Sequence, residues 1–229
     1  FTPCKNFIFP LSKPVCHMNK CIFQLRCILY LPFLNSFRGK LKKEIGIARL
    51  NRCRIVSSGT GNRLVIGDLT RLHHCEMYIG GSNNTIVIGE RCYLNHVVFC
   101  MEGDGNTIEI GNHTGLYGRA ELAAIEGTAI SIGDNCMFSS DVYMRTGDSH
   151  SVLRKGTRER MNPSKSIRIG RHVWIGTKVT VLKGAQVPQD CIVGAGSLLT
   201  HAFEHPNCVI AGVPAKVVKQ DVDWTDQRL

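Results

Sequence analysis

The chain has 229 residues, of which 43% are hydrophobic and 20% charged, so it is long enough to bury a sizeable core and is neither a disordered tail nor collagen-like. Its formal net charge of +10 lies entirely in residues 1–54, where Glu44 is the one acid. Residues 55–229 hold equal numbers of acids and bases, and they contain no helix-turn-helix or zinc-finger pattern. This distribution argues against a DNA-binding domain.

The N-terminal segment, residues 1–50, is both basic and apolar. Its apolar run, residues 21–34, is interrupted by Gln24 and Arg26 and is shorter than the roughly 20 residues that a membrane-spanning helix needs. We expect a short helical segment here. Two interpretations remain open: a lid packed on the body of the protein, or a segment lying on the inner face of an anionic membrane.

Eleven cysteines are present, without a CxxC pair or a spacing typical of zinc sites. Cys92 and Cys136 occupy equivalent places in the repeat described next, where other copies have Thr114 or Val173. We therefore predict small buried side chains rather than a disulfide framework, and a reducing, cytoplasmic location.

An internal repeat organises the chain. Ile-Gly pairs recur every 22 residues, at Ile66-Gly67, Ile88-Gly89, Ile110-Gly111 and Ile132-Gly133. Asn62, Asn84, Asn106 and Thr128 keep one register within these copies. Each copy alternates apolar and polar residues and ends in glycine, which predicts a short strand followed by a corner.

After Gly170 the period shortens to six, with aliphatic residues at Ile169, Ile175, Val181, Val187 and Val193. Six residues per face and 18 per turn predict a three-sided coil whose corners take Gly, Asn or Asp and whose aliphatic side chains stack inward. Copies of 22 residues are then 18-residue turns with four extra residues at a corner. We predict an all-β solenoid of roughly seven or more turns over residues 51–219, with a C-terminal tail at 220–229.

One insertion interrupts the repeat, because Gly170 follows Gly133 by 37 residues. It forms a polar, mostly basic loop at about residues 145–165. A long polar loop on a rigid repeat is a usual place for functional groups, so we expect the chemistry to lie there.

The runs IRIGRHVWIGTKVTVLKGAQV, IVGAGSLLT and VIAGVPAKVVK resemble the left-handed parallel β-helix acyltransferases. The resemblance is nearest to the acetyl-CoA-dependent galactoside, maltose and capsular or exopolysaccharide O-acetyltransferases. It implies a left-handed parallel β-helix with a protruding catalytic loop, a homotrimer, acetyl-CoA as co-substrate, no metal and a sugar or glycan acceptor. The N-terminal substrate-binding module of the galactoside and maltose enzymes is not recognisable, so the acceptor, and the choice between O- and N-acetylation, stay open.

The resemblance also assigns the catalytic residues. His150, 24 residues before Trp174, matches the family's general base, which takes a proton from the acceptor hydroxyl as it attacks the thioester. Asp148 is the nearest carboxylate that would orient the imidazole, although a separation of two residues is awkward, so an acid from elsewhere is the alternative. The backbone N–H of Thr177 is the expected oxyanion donor, and transfer is direct.

The same matching assigns the acetyl-CoA groove. Trp174 and Gly176 shape it, and the pantetheine arm runs along Thr177, Ala195, Thr200 and His201. Lys216 and Lys219 fall near the nucleotide phosphates. Lysines stand where the family often has arginines, which puts bidentate phosphate contacts in doubt.

Two other function classes are considered. A carbonic-anhydrase-like zinc enzyme would need three converging histidines, whereas His96, His113 and His150 lack the paired spacing. A non-catalytic scaffold or binding module shares every repeat and differs only in having no use for His150. CoA binding distinguishes these two hypotheses, because the enzyme must bind CoA whereas a scaffold need not.

Overall fold

The computed structural model describes residues 34–227 and 229. In this part of the chain the regular secondary structure consists of β-strands, and no α-helix occurs. The strands, numbered in chain order, coil around one axis and form three sheets, which we call faces A, B and C. Neighbouring strands are parallel on all three faces except for the last pair, β23 and β24.

The strands of each face are as follows. Face A contains β1 (Ser36–Arg38), β4 (Arg54–Ser57), β7 (Glu76–Ile79), β10 (Val97–Glu102), β13 (Ala120–Ile125), β16 (Val142–Arg145), β19 (Thr180–Leu182) and β22 (Leu198–Leu199). Face B contains β2 (Lys42–Ile45), β5 (Arg63–Ile66), β8 (Thr85–Ile88), β11 (Thr107–Ile110), β14 (Ala129–Ile132), β17 (Ile167–Ile169) and β20 (Gln186–Val187). Face C contains β3 (Arg49–Asn51), β6 (Arg71–His73), β9 (Tyr93–Asn95), β12 (Gly115–Leu116), β15 (Met137–Phe138), β18 (Trp174–Ile175), β21 (Ile192–Val193), β23 (Val209–Gly212) and β24 (Ala215–Lys219).

The strand register follows the sequence repeat. On face B, Thr107 pairs with Thr85 and with Ala129, so each turn takes 22 residues. Ser131 pairs with Arg168 across the insertion, and Arg168 pairs with Gln186 after an 18-residue turn. The prediction of a three-sided parallel solenoid of about seven turns is therefore confirmed in the described residues. The hand of the coil stays a prediction from the resemblance.

The core is a set of inward-facing columns. The isoleucines of the Ile-Gly pairs are at most 2% exposed, and so are the aliphatic residues that recur every six residues after Gly170. No turn buries these side chains alone, because each column packs against the turns above and below it. Stability therefore comes from stacking.

Buried asparagines line the corner between faces A and B. The side-chain oxygen of Asn62 accepts the backbone N–H of Asn84 at 2.9 Å, and that of Asn84 accepts the N–H of Asn106 at 2.8 Å. Thr128 ends this ladder by donating its N–H to Asn106 at 3.2 Å. The common register of these four residues thus satisfies backbone groups that a corner would otherwise bury unpaired.

At the corner between faces B and C, three of the four residues with positive φ differ from the predicted Gly, Asn or Asp. Leu69, Arg91, His113 and Asn135 all adopt positive φ there, between 55° and 61°. The backbone N–H of Arg91 donates to Asp68 at 2.9 Å and that of His113 to Glu90 at 2.8 Å. These bonds to the preceding turn hold a left-handed conformation that is costly for larger side chains.

The cysteines within the repeat are free thiols, and all of those in the described residues except half-buried Cys100 are buried, as predicted for Cys92 and Cys136. Cys92 and Cys136 are each 2% exposed, and their Sγ atoms donate to the carbonyls of Gly111 and Gly170 at 3.1 Å. Burial raises the pKa of both thiols, that of Cys136 to about 12. They therefore act as small core side chains.

The first turn of the solenoid contradicts part of the prediction of an N-terminal helical segment. Residues 36–51 form β1, β2 and β3, which pair with β4, β5 and β6, so the first turn includes part of the segment for which we expected a helix. Residues 1–33 lie outside the described residues. The rest of the helix prediction, and the alternatives of a lid and a membrane contact, fall on those residues and stay predictions. None of the described segments is a helix with the length and apolarity to span a membrane.

Candidate active site

The insertion leaves the stack where face A meets face B. It follows β16 and returns in β17, and it folds as a short hairpin. Leu153 and Arg160 form an antiparallel bridge, and the N–H of Met161 donates to the carbonyl of Val152 at 2.8 Å. The buried hydroxyl of Thr146 fixes the loop's first residue by accepting the N–H of Ile125 at 3.0 Å.

His150 lies exposed at the root of this loop. Its backbone carbonyl accepts the side-chain amide of Asn162 at 2.8 Å, and the side-chain oxygen of Asn162 accepts the N–H of Val152 at 2.6 Å. Among the described residues none hydrogen-bonds to the imidazole of His150. The ring is thus available to an external group, while the backbone that carries it is fixed.

Asp148 lies beside His150 in sequence but contacts other residues. Its carboxylate pairs with the ammonium of Lys183 and accepts the amide of Asn162 at 2.7 Å. The hydrogen bond from Lys183, followed by that from Asn162, lowers the pKa of Asp148. Within one chain this carboxylate anchors the loop to the corner after β19, and its role in orienting the imidazole stays a prediction.

Acids from earlier turns pair with the loop's arginines. Arg145 contacts Glu102 at 3.3 Å, and Arg160 donates to both oxygens of Glu126 at 2.8 and 2.9 Å. Bonds from Ser164 and Arg160 lower the pKa of Glu126. The basic character of the loop is therefore partly neutralised where it meets the solenoid.

The residues assigned to the start of the cofactor groove lie where face C meets face A. Gly176 is buried, and a Cβ on it would come within 2.7 Å of the backbone nitrogen of Ala195, so this close stacking requires glycine. The carbonyl of Thr177 accepts the N–H of Gly196 at 2.8 Å, which places Thr177 and Ala195 one turn apart, as their spacing predicts. Trp174 precedes them on face C and is 37% exposed.

The other assigned cofactor residues are separate from this corner. Thr200 and His201 follow β22 and are exposed at the edge between faces A and B, where the ring of His201 lies 4.5 Å from that of Phe203. Lys216 and Lys219 are exposed on β24, at the end of face C. All of these residues lie on the last turns of the solenoid.

One chain does not bring His150 next to Thr177. His150 follows the end of β16, whereas Thr177 precedes the start of β19, the neighbouring strand on face A. A four-residue strand spans about 13 Å, so the two residues lie at opposite edges of this face. The imidazole and the expected oxyanion donor can meet only if a second copy of the chain supplies one of them.

The histidines of the zinc alternative are also dispersed. His96 stacks on His74 with ring centroids 4.6 Å apart, His113 lies at another corner, and His150 lies in the loop. Within residues 34–227 no three metal-binding side chains cluster.

Several residues of the loop root escaped sequence reasoning. Asn162, Lys183, Glu102 and Glu126 hold the loop through contacts between residues 14 to 43 positions apart. For Asn162 a weak signal existed, because Asn-Pro dipeptides mark turns. The others carry no local signal.

Known proteins share the repeat and the solenoid architecture of this chain. A model described as the hexapeptide repeat of succinyl-transferase matches residues 166–201. The crystal structure of the polysialic acid O-acetyltransferase OatWY superposes with a TM-score of 0.81 and 30% identity, covering 85% of this chain and 92% of that one. The chain belongs to the hexapeptide-repeat acetyltransferase family. The resemblance drawn from the sequence is confirmed.

Two curated relatives of this chain are named as O-acetyltransferases. A polysialic acid O-acetyltransferase of Neisseria meningitidis is 33% identical over 107 residues, which are 47% of this chain and 50% of that protein. A galactoside O-acetyltransferase of Escherichia coli strain K12 is 34% identical over 106 residues, which are 45% and 50%. The chain thus spans half the length of each of these curated relatives.

Proposed function

We propose that this protein is an acetyl-CoA-dependent O-acetyltransferase that acts on a sugar hydroxyl of a polysaccharide or its precursor. Family membership supports acetyl transfer, and the two curated relatives are named for acting on polysialic acid and on galactosides. The observation that carries the proposal is the exposed imidazole of His150 on a fixed backbone at the insertion in the stack.

The proposed chemistry is direct transfer. The imidazole of His150 takes the hydroxyl proton while the sugar oxygen attacks the thioester carbonyl, and the same proton then passes to the departing thiolate of CoA. The Thr177 N–H stabilises the oxyanion that forms between these two steps. The ester bond forms as the thioester bond breaks, so no acyl-enzyme intermediate is needed.

The corner where face C meets face A, at Gly176, Thr177 and Ala195, which we call the C/A corner, suits the thioester arm of acetyl-CoA. Ala195 is exposed there and has a small side chain, which lets a long flexible ligand lie close to the backbone. Lys216 and Lys219, which are exposed on β24 at the end of face C and separate from this corner, are the proposed cations for the phosphates. Thr177 fits the role of donor only when its N–H faces the substrate of a neighbouring chain.

We further propose that the active protein is a homotrimer whose sites lie between chains. The outward side chains of face A include Val98, Tyr143, Leu182 and Leu198, whereas face B presents mainly polar residues. Packing of face A around a threefold axis would place the loop of one chain beside the C/A corner of the next. That arrangement supplies His150 and Thr177 to one cleft.

We also propose a cytoplasmic location for the protein. Cys92 and Cys136 are free, buried thiols, which suits a reducing cytoplasm. Polysaccharide precursors are the expected acceptors there, and the basic N-terminal segment would contact the inner membrane face or cover the body.

Substitution of His150 tests the proposal. His150→Ala should lower the release of free thiol from acetyl-CoA at least 100-fold with an acceptor present, because a positioned base contributes that much. His205→Ala, another exposed histidine, is the matched control and should keep wild-type turnover. Wild-type rates in folded His150→Ala protein would refute the proposed base.

A further inference from the structure

The C-terminal tail leaves the last turn and runs back along the corner between faces B and C. Val222 donates its N–H to the carbonyl of Asn207 at 3.0 Å, and Trp224 donates its indole N–H to the carbonyl of His172, also at 3.0 Å. Asn207 and His172 both have positive φ at this corner, and Asp190 has the same conformation on the turn between them. The tail therefore crosses back over two turns of the solenoid.

The ring of His172 fixes Trp224 at this corner. The indole stacks on the imidazole, with ring centroids 4.4 Å apart and 10° between the ring planes. The imidazole is itself held in place, because its Nδ1 lies 3.0 Å from Oδ1 of Asp190 on the next turn. A hydrogen bond and a stacked ring thus set the position of the indole.

The second aromatic neighbour of Trp224 is Trp174, and these are the two tryptophans of the chain. Their ring centroids lie 6.0 Å apart, with 44° between the planes. Trp174 lies on face C between Met137 and Ile192 in register, and it is 37% exposed. Tilted aromatic pairs at such distances attract each other beyond the area that they bury. The tail therefore restricts the positions that the Trp174 indole can adopt.

We propose that Trp224 is a positioning residue that holds Trp174 beside the C/A corner, so that the tail sets the affinity for acetyl-CoA. Trp174 precedes Thr177 by three residues, a span of at most about 11 Å, so its indole lies close to that corner. Without Trp224, binding of acetyl-CoA would have to order a free indole, which weakens affinity. The inference rests on the proposed function, in which this corner binds the thioester arm.

The surroundings of the pair favour this role over that of an anchor for the end of the chain. Both indoles stay partly exposed. The core beneath them is already closed by Val173 and Ile175, which are fully buried. Contact between the two rings therefore adds little to the core and acts mainly on the surface beside the C/A corner.

A double-mutant cycle in the full-length chain tests the proposal. CoA is titrated into each protein, and the heat of binding gives its dissociation constant. Trp224→Ala should weaken binding about fivefold, and Trp174→Ala should weaken it at least as much. Adding Trp224→Ala to Trp174→Ala should change nothing further, because Trp224 acts through Trp174. Asp221→Asn, on the same tail but outside these contacts, is the matched control and should bind as wild type does.

Circular dichroism detects the ring pair directly. Two indoles at this distance couple their excited states, so the wild-type protein should show an exciton couplet that is lost in Trp224→Ala and in Trp174→Ala. Trp224→Phe keeps a ring but removes the indole N–H and the couplet. It should weaken CoA binding less than Trp224→Ala does, by about twofold.

Three results would overturn the proposal: wild-type affinity in folded Trp224→Ala protein, an equal further loss when Trp224→Ala is added to Trp174→Ala, or no couplet in the wild-type protein. If Trp224→Ala does not fold, Trp224→Phe decides by the same cycle. A wild-type protein that does not bind CoA would refute the proposed function together with this inference. CoA binding that is independent of Trp224 would refute this inference alone.

Discussion

The side-chain amide of Asn162 donates to the backbone carbonyl of His150 at 2.8 Å, across a hairpin of eleven intervening residues in the inserted loop. The same amide reaches Asp148, which pairs with Lys183 on the solenoid. The position of His150 therefore depends on a short network that joins both ends of the loop to the rigid stack.

Asn162→Asp should slow acetyl transfer about tenfold or more, because it removes both donated bonds and places a second carboxylate beside Asp148. The KM for acetyl-CoA should stay close to the wild-type value, since the C/A corner, where acetyl-CoA is proposed to bind, is separate from the inserted loop. Steady-state kinetics of thiol release give both parameters. A raised KM with unchanged kcat would mean that Asn162 does not position the base.

Acid should loosen the loop root. The pKa of Asp148 is lowered by Lys183, so its contribution is present above the ordinary titration range of Asp and is lost as pH falls through the lowered value, below about 4. Hydrogen exchange at the amide of Val152, corrected for intrinsic rates, should stay constant from pH 7 to pH 5 and accelerate as the pH falls below about 4. Asp148→Asn should abolish this dependence, and a persistent pH effect in that variant would assign it to another group.

The asparagine ladder should be costly to interrupt. Asn84→Ala leaves the buried N–H of Asn106 without its acceptor, which should lower the free energy of unfolding by about 1–3 kcal/mol. Asn112→Ala removes an equivalent bond at an exposed position, where water replaces it, and should cost less than about 0.5 kcal/mol. Urea denaturation compares them, and equal losses would contradict the argument.

Cys136 should resist alkylation in the native protein at pH 8. Burial raises its pKa to about 12, so neither the thiolate nor access to it is available. Peptide mapping after iodoacetamide treatment should find Cys136 unlabelled before denaturation and labelled after it. Half-buried Cys100 is the internal comparison and should react faster. Rapid native labelling of Cys136 would show that the turns open.

The repeat could be predicted from sequence because every turn uses the same local pattern. Ile66, Ile88, Ile110 and Ile132 recur at the strand spacing, so they report both the fold and the core. Conversely, the contact of Trp224 with His172 joins residues 52 positions apart through the tail and has no periodic signal. The Asp148–Lys183 pair likewise depends on how the loop meets another turn.

The candidate site was predictable only in part, for the same reason. The 18-residue spacing placed Thr177 and Ala195 together, because both belong to the repeat. The distance from His150 to Thr177 across face A depends on which corner the insertion leaves, and the sequence does not mark that corner. That distance is the reason why the proposed site draws on a second chain.

Mixed oligomers test the central claim most directly. The His150→Ala variant lacks the proposed base, and the Ala195→Trp variant has a blocked C/A corner, so each should be inactive alone. Coexpressed with different affinity tags and isolated as hybrids, they should regain about a third of wild-type turnover, since in either hybrid trimer one of the three sites pairs an intact His150 with an intact corner. Hybrids as inactive as their parents would contradict a site built from His150 of one chain and the Thr177 corner of the next.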